Sequence, residues 1–235
     1  MLSSLSALQS ATMKTITPAK GNITRQANKV LRRQRIMDTA RRLIASNGYE
    51  AFTISELALE ANVSAPTIHN LLGKKQDILV LLVSEMVELV GTVMSKPSAS
   101  DPIEGAEIFI DNLLGLFKKD EVFYRAAFVT GERTQLFEHE LPGGIYNQSL
   151  KIAEQICAAA KTNGFLKGDI NTSLLAEQLF GCQRLARQDW VNGYIDLEHY
   201  RTQVLVGMLT TYAADATPDF HTRLCKKIKA LNRGK

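Results

Sequence analysis

Thr53, Ser64, Thr67, His69, Asn70, Lys74 and Lys75 crowd one short stretch, bringing hydroxyl, amide, imidazole and ammonium groups together. These groups donate and accept hydrogen bonds, and none stands in a nucleophile–base motif. The stretch holding most of them, 53–72 (TISELALEANVSAPTIHNLL), scans as two short helices around a tight turn. Thr53 and Glu56 form a T-x-x-E capping box, in which the hydroxyl accepts from the Glu56 N–H and the carboxylate reaches back. Ile54, Leu57, Ala58 and Ala61 then share one helical face. Asn62 supplies the left-handed residue that a sharp interhelical turn requires. Ser64 caps the second helix, and Pro66 stands in its first turn, where a missing N–H costs little. Val63, Ile68 and Leu72 pin this helix to the first, while Ala65, Thr67, His69 and Asn70 leave its other face without a large apolar group. The pattern is a helix-turn-helix, whose second helix suits the major groove of DNA.

Other chemistry finds little footing. His221 and Cys225 stand four apart on the last helix, a metal-ligand spacing, but two ligands do not make a site and neither His139 nor His199 is near in sequence. Pro142-Gly143-Gly144 is glycine-rich without the Lys-Ser/Thr of a phosphate loop, and reads as a turn. The carboxylates are scattered over amphipathic helices. No catalytic residue, metal or cofactor is therefore assigned. Three unevenly spaced cysteines (Cys157, Cys182, Cys225) make no disulfide framework, which fits a cytoplasmic setting. No uncharged apolar run approaches the roughly 20 residues needed to cross a bilayer, so no membrane partner is expected.

The elements that must position the polar stretch follow from charge and periodicity. Residues 1–90 hold 11 basic against 7 acidic side chains; residues 91–220 hold 11 against 17; the last fifteen hold six basic and no acidic. A basic front on an acidic middle matches a DNA-binding head on a separate body. Residues 1–28 read as a disordered basic arm, free of acidic residues and too sparse in leucine for a signal peptide; the start codon is Met1 or Met13. A helix is expected over 29–47, with Ile36, Ala40, Leu43 and Ile44 as its buried stripe and Gly48 ending it, and Tyr49 and Phe52 close a small core. The helix over 75–94 is apolar nearly all round, which places it between head and body as a lever. Pro97 to Pro102 breaks the pattern. Helices then follow over 102–118, 120–139, 146–163, 171–193, 197–215 and 218–231. The chain is thus all-α, with an arm (1–28), a three-helix helix-turn-helix domain (29–92) and a larger helical domain (93–235).

Residues 30–90 also carry a resemblance. Ala40-Arg41-Arg42-Leu43, Asn47-Gly48-Tyr49, Thr53 with Leu57-Ala58, Val63-Ser64-Ala65-Pro66-Thr67-Ile68, and Lys75 with Ile78-Leu79 resemble the N-terminal domain of the TetR family of bacterial transcriptional regulators. Asn62 stands in place of the usual turn glycine, His69 in place of a phosphate-binding Tyr, Leu72 in place of Phe, and Lys74 in place of a capping Ser or Asn. The resemblance implies a homodimer binding a pseudo-palindromic operator in double-stranded DNA, acting as a repressor released by a small-molecule effector of unknown identity. It implies phosphate contacts at Thr53 and Lys75, with His69 donating in place of Tyr, and Lys74, in place of the cap, is expected to contact DNA. Ser64, Ala65, Pro66, Thr67 and Asn70 would face the groove, and an arm with Arg25, Lys29, Arg32 and Arg33 would enter the neighbouring minor groove. In the body it implies a dimer bundle from 171–193 and 197–215, with Leu174, Leu175, Leu179, Trp190, Val204, Leu205, Met208 and Leu209 in core or interface and Gly181 and Gly207 at close approaches. It also implies a pocket drawn from Phe109, Phe117, Phe123, Tyr124, Phe128, Tyr146, Phe165 and Phe180, with Gln178, Gln183 and Arg184 as polar candidates. Two alternatives stay open: a ligand-independent DNA-binding structural or cell-division protein, and a helical enzyme or carrier that has lost DNA binding.

Overall fold

The computed structural model describes residues 20–94, 99–133 and 145–232. Among them the regular structure is helical, apart from one isolated antiparallel bridge between Leu166 and Ala216. The helices are α1 (Lys20–Ala51), α2 (Ile54–Glu60), α3 (Ala65–Leu72), α4 (Lys75–Met94), α5 (Pro102–Phe117), α6 (Glu121–Arg133), α7 (Ile145–Thr162), α8 (Thr172–Val191), α9 (Leu197–Ala213) and α10 (Pro218–Asn232).

The first helix differs from expectation. It begins at Lys20, so residues 20–28 of the anticipated arm are helical, while 1–19 lie outside the described residues. Gly48 interrupts it where the sequence placed its end, at φ 77°, ψ 162°, before a last turn to Ala51. Ile36, Ala40 and Ile44 are buried as the periodicity requires, and Phe52 closes the core with Leu57, Ile68 and Leu72. Tyr49 is only half-buried. The fourth helix is also less enclosed than its composition implied. Ile78, Leu82, Met86 and Val90 are buried against neighbours, whereas Val80 and Leu89 stay exposed on its outer side.

In the body the breaks fall near their predicted places. Asp101 caps α5 by accepting from the N–H groups of Ile103 and Glu104, with Pro102 at the first helical position. The turn around Leu141 to Gly144 lies outside the described residues. Phe117 stacks on Trp190 at 4.8 Å with rings 7° apart, and Phe128 and Tyr200 close around them. Phe117, Phe123, Tyr124 and Phe128 are thus core rather than pocket, and Phe165 packs on Phe220. Leu175, Leu179, Trp190, Val204, Leu205, Met208 and Leu209 are buried between α8, α9 and their neighbours. Gly207 is a close approach: a methyl there would meet the Cys182 Cβ at 2.7 Å. Gly181 instead faces open space. The basic C-terminal helix packs on α9, Phe220 against Tyr212, and reaches α5 and its cap through Arg223–Asp101 and a Lys227–Glu107 pair of 2.7 Å.

Candidate nucleic-acid interface and ligand cavity

The second helix of the pair, α3, is held at both ends. At its start the Ser64 Oγ accepts from the Thr67 N–H at 3.4 Å and lies 2.8 Å from the Thr67 hydroxyl. At its end the Arg33 guanidinium donates to the Leu71 carbonyl at 3.0 Å. The His69 ring turns back the same way, its Nδ1 lying 3.1 Å from the Gly73 carbonyl oxygen. A carbonyl only accepts, so in this contact Nδ1 carries the proton and a neutral ring keeps Nε2 bare. Cationic and N–H groups at a helix C-terminus satisfy its orphan carbonyls and suit its dipole. Arg33 and His69 therefore set the attitude of α3.

The turn before α3 has the geometry its residues specify. Asn62 adopts φ 52°, and Thr53 accepts from the Glu56 N–H at 3.2 Å. The reciprocal half of that capping box is not made: the Glu56 carboxylate accepts from the Asn47 amide at 3.1 Å, tying α2 to α1. The turn after α3 holds a device not anticipated from the sequence. Asp77, third residue of α4, accepts from the Lys74 N–H at 2.7 Å, which replaces the cap that Lys74 itself lacks. Gly73 at φ 91° makes room for it, since a methyl there would strike the Asp77 carboxylate. An acidic residue three after the cap position was the available signal.

The polar candidates thus separate. Thr53, Ser64, Pro66, Asn70 and Lys74 are exposed, with Ala65 and Thr67 half-exposed beside them on the outer face of the pair. Lys75 is drawn away from that face: its Nζ donates to the Glu50 carbonyl at 3.1 Å and sits 4.7 Å from the Tyr49 ring centre. Arg25, Lys29 and Arg32 are exposed at i, i+4 and i+7 along the N-terminal extension of α1, a single helical stripe. A helix about 10–12 Å across does not fit a minor groove about 6 Å wide. The stripe therefore does not have the shape of the minor-groove arm that the resemblance implied.

The head reaches the body through two helices. Arg41 of α1 pairs with Glu85 of α4 at 2.9 Å and lies 5.0 Å from the Phe123 ring centre on α6. Within the body two cavities adjoin, of about 40 and 180 Å³, and Phe109, Ile156 and Met208 line both. Phe180, Gln183 and Ser149 complete the smaller, which Tyr146 backs edge-on against Phe180. Gln178 and Arg184 are exposed and take no part in either. His221 lies 3.7 Å from the Cys225 sulfur, and no third ligating side chain among the described residues joins them.

An all-α chain with a capped helix-turn-helix at its basic end defines the class of DNA-binding transcriptional regulators. Comparison with known proteins shows what the chain is similar to. Residues 36–82 match the family profile described as "Bacterial regulatory proteins, tetR family". Over 155 residues the chain is 23% identical to the HTH-type transcriptional repressor KstR of Rhodococcus jostii (strain RHA1), spanning 66% of this chain and 71% of that protein. The fold is shared with a TetR transcription regulator from Haloarcula marismortui ATCC 43049 (TM-score 0.64, 16% identity, 80% of this chain and 100% of that one). It is shared also with a gamma-butyrolactone receptor described as ArpA-like (TM-score 0.58, 16% identity, 88% and 100%). The chain thus carries, over residues 36–82, a segment like the DNA-binding domain of the TetR family of bacterial regulatory proteins, and is similar in fold to members of that family. Among the described residues no helix is long and apolar enough to cross a membrane.

Proposed function

We propose that the protein is a cytoplasmic, homodimeric repressor that binds a pseudo-palindromic operator and leaves it when a small molecule fills the body cavity. The observation that carries this reading is the outer face of α3: small, hydrogen-bonding side chains on a helix fixed at both ends. Thr67 and Asn70 read base edges, Ala65 and Pro66 meet a thymine methyl, and Thr53 and Lys74 hold phosphates. Ser64, His69, Lys75 and Arg33 act as positioning residues, since their polar atoms are engaged within the head. Arg25, Lys29 and Arg32 meet phosphates beside the reading helix. The domain division at about residue 92 follows, with α4 crossing it.

The related repressor KstR and the gamma-butyrolactone receptor, by their names, supply the precedent for repression and for response to a small molecule. Release is a population shift: the ligand favours a body in which α4 and α6 have moved, and Arg41, which grips both, carries that movement to α1. Gel shifts on a selected operator test the interface. Thr67→Ala should cut the preference for operator over mismatched DNA by about 1–3 kcal/mol. Lys74→Ala should weaken all sequences alike and flatten the salt dependence by about 0.9 per lost phosphate contact. Wild-type behaviour in both variants would refute this face as the reader.

A further inference from the structure

We propose that the effector is uncharged and elongated: an apolar middle lies across both cavities, with a neutral oxygen at each end, one on Gln183 and the other on Tyr212. This rests on the effector reading above and specifies its chemistry. Phe109, Ile156 and Met208 line both cavities, so a ligand passing between them spans the pair. Among the described residues, neither cavity is lined by a lysine, arginine, histidine, aspartate or glutamate. A charged head drawn into them would lose its water and meet no counter-charge, a cost that ionised groups bear worst.

Two lining side chains have hydrogen-bonding capacity to spare. Tyr212 of α9 lines the larger cavity and is 1% exposed, and its hydroxyl makes no hydrogen bond among the described residues. Burial pushes its pKa up, so the phenol stays a neutral donor. Gln183 of α8 lines the smaller cavity and is 9% exposed. Its Nε2 donates at 3.0 Å to the hydroxyl of the fully buried Tyr200, which fixes the amide, while its oxygen has no partner among the described residues. Turning the amide over exchanges the two atoms and still leaves one spent on Tyr200 and the other free. Among the described residues, the sealed polar side-chain atom without a partner is the Arg187 Nε. The free atoms of Gln183 and Tyr212 are therefore open to a water-sized molecule, and the cavities are the space these side chains line. Unpaired polar groups at buried positions are costly, which favours a ligand that pairs them. Tyr200, which holds Gln183, lies ~18 Å from Tyr212 along the α9 axis. Side chains lean toward the N-terminus of their helix, which brings Tyr212 back toward Gln183 and leaves roughly 10–15 Å between the anchors. Exposed Ser100 and Asn163 mark the mouth of the larger cavity, so the Gln183 end is the deeper one. The α4 helix packs on α5 and α7, whose Phe109 and Ile156 flank the ligand, so spreading them acts on the helix that leads to the head.

Thermal unfolding of the full-length protein with straight-chain terminal diols of about six to twelve carbons tests this, against 1-alkanols and alkanoates of the same lengths. Affinity is read from how the midpoint moves with ligand concentration. The best diol should bind about two- to tenfold tighter than its alkanol, the share of one neutral hydrogen bond, and the alkanoates should bind more weakly than either. Tyr212→Phe removes only a hydroxyl without a partner, so it should keep its ligand-free midpoint and its alkanol affinity and lose the diol advantage. Gln183→Leu combined with Tyr200→Phe, which removes both ends of one hydrogen bond together, should lose that advantage from the other end. Equal affinity for diol and alkanol at every length overturns the proposal, as does a diol advantage undiminished in Tyr212→Phe. Alkanoates binding as tightly as alkanols overturn it too, while leaving an effector of charged chemistry. A ligand-free Tyr212→Phe midpoint well below wild type, with diol affinity unchanged, makes that hydroxyl a structural contact only. No shift with any probe overturns the class, and operator release by other small molecules then decides the effector reading separately.

Discussion

Gly73, Lys74 and Asp77 show how single residues hold α3 to α4 behind it. The Lys74 N–H has its acceptor only because Asp77 reaches back, and Asp77 has its place only because residue 73 lacks a side chain. Gly73→Ala should cost about 1–3 kcal/mol, because an L-residue is strained at φ 91° and its methyl displaces Asp77. Denaturant unfolding measures it, and Asp77→Ala should lose about 1 kcal/mol by removing the cap alone. At this scale the sequence was legible wherever a residue acts on its near neighbours. Thr53, Asn62 and Ser64 do what their types dictate, because a cap or a left-handed turn is settled within three or four residues. Arg33 was not legible. Its acceptor, the Leu71 carbonyl, is 38 residues away, and nothing in a run of exposed basic residues distinguishes the one that braces α3. The hold on Lys75 was illegible for the same reason: the Glu50 carbonyl and the Tyr49 ring that take it belong to another helix.

Among the elements, α5 and α9 are braced across the body by Arg201, whose Nε and Nη2 donate to the Asp111 carboxylate at 2.6 and 3.0 Å. The hydrogen bond from Arg201 holds the Asp111 carboxyl below its ordinary value of 3.8, against the partial burial that opposes this. A lowered carboxylate pKa contributes stability that is fully present above 3.8 and is lost as pH falls through the lower folded value. Asp111→Asn should therefore lose under about 1 kcal/mol at neutral pH, the pair being half exposed, and should show a shallower fall in melting temperature below pH 4. Melting curves across that range check both. Helix periodicity located α5 and α7 to α10 to within a few residues, because each buries one apolar stripe, while the end expected for α6 at residue 139 lies outside the described residues. It overestimated the enclosure of α4, where Val80 and Leu89 remain exposed, since composition reports how apolar a face is and not whether a neighbour covers it. The extra length of α1 was missed because 20–28 has no apolar stripe to signal a helix.

For the whole molecule, one stretch of uncovered apolar surface lies on the outside of α8. Leu174 and Leu185 are 56% and 59% exposed, and with Gln178 and the open Gly181 they recur at heptad spacing. The proposed homodimer would pack a second copy there through α8 and α9, which gives the two-fold symmetry that a pseudo-palindrome requires. Leu185→Arg should shift the protein to monomer in light scattering and lower operator affinity by about a hundredfold or more, as two linked heads become one. The charge division read from the sequence survives in outline, yet α10 pairs two of its basic residues with α5, so that basic segment is part of the body's packing. The cavity was only partly legible. Phe109, Phe180 and Gln183 line it, whereas the other aromatics with the same helical spacing form the Trp190 cluster or pack elsewhere in the body, a choice made by tertiary contact alone.

The central claim, that a dimer of heads reads DNA through α3, is tested most directly by selecting bound sequences from random double-stranded DNA with the purified protein. The account predicts enrichment of one inverted-repeat motif, with half-sites set about one helical turn apart or more, whose base preferences at the half-site centres weaken in Thr67→Ala. Enrichment of no motif, or of one lacking two-fold symmetry and indifferent to Thr67, would contradict it.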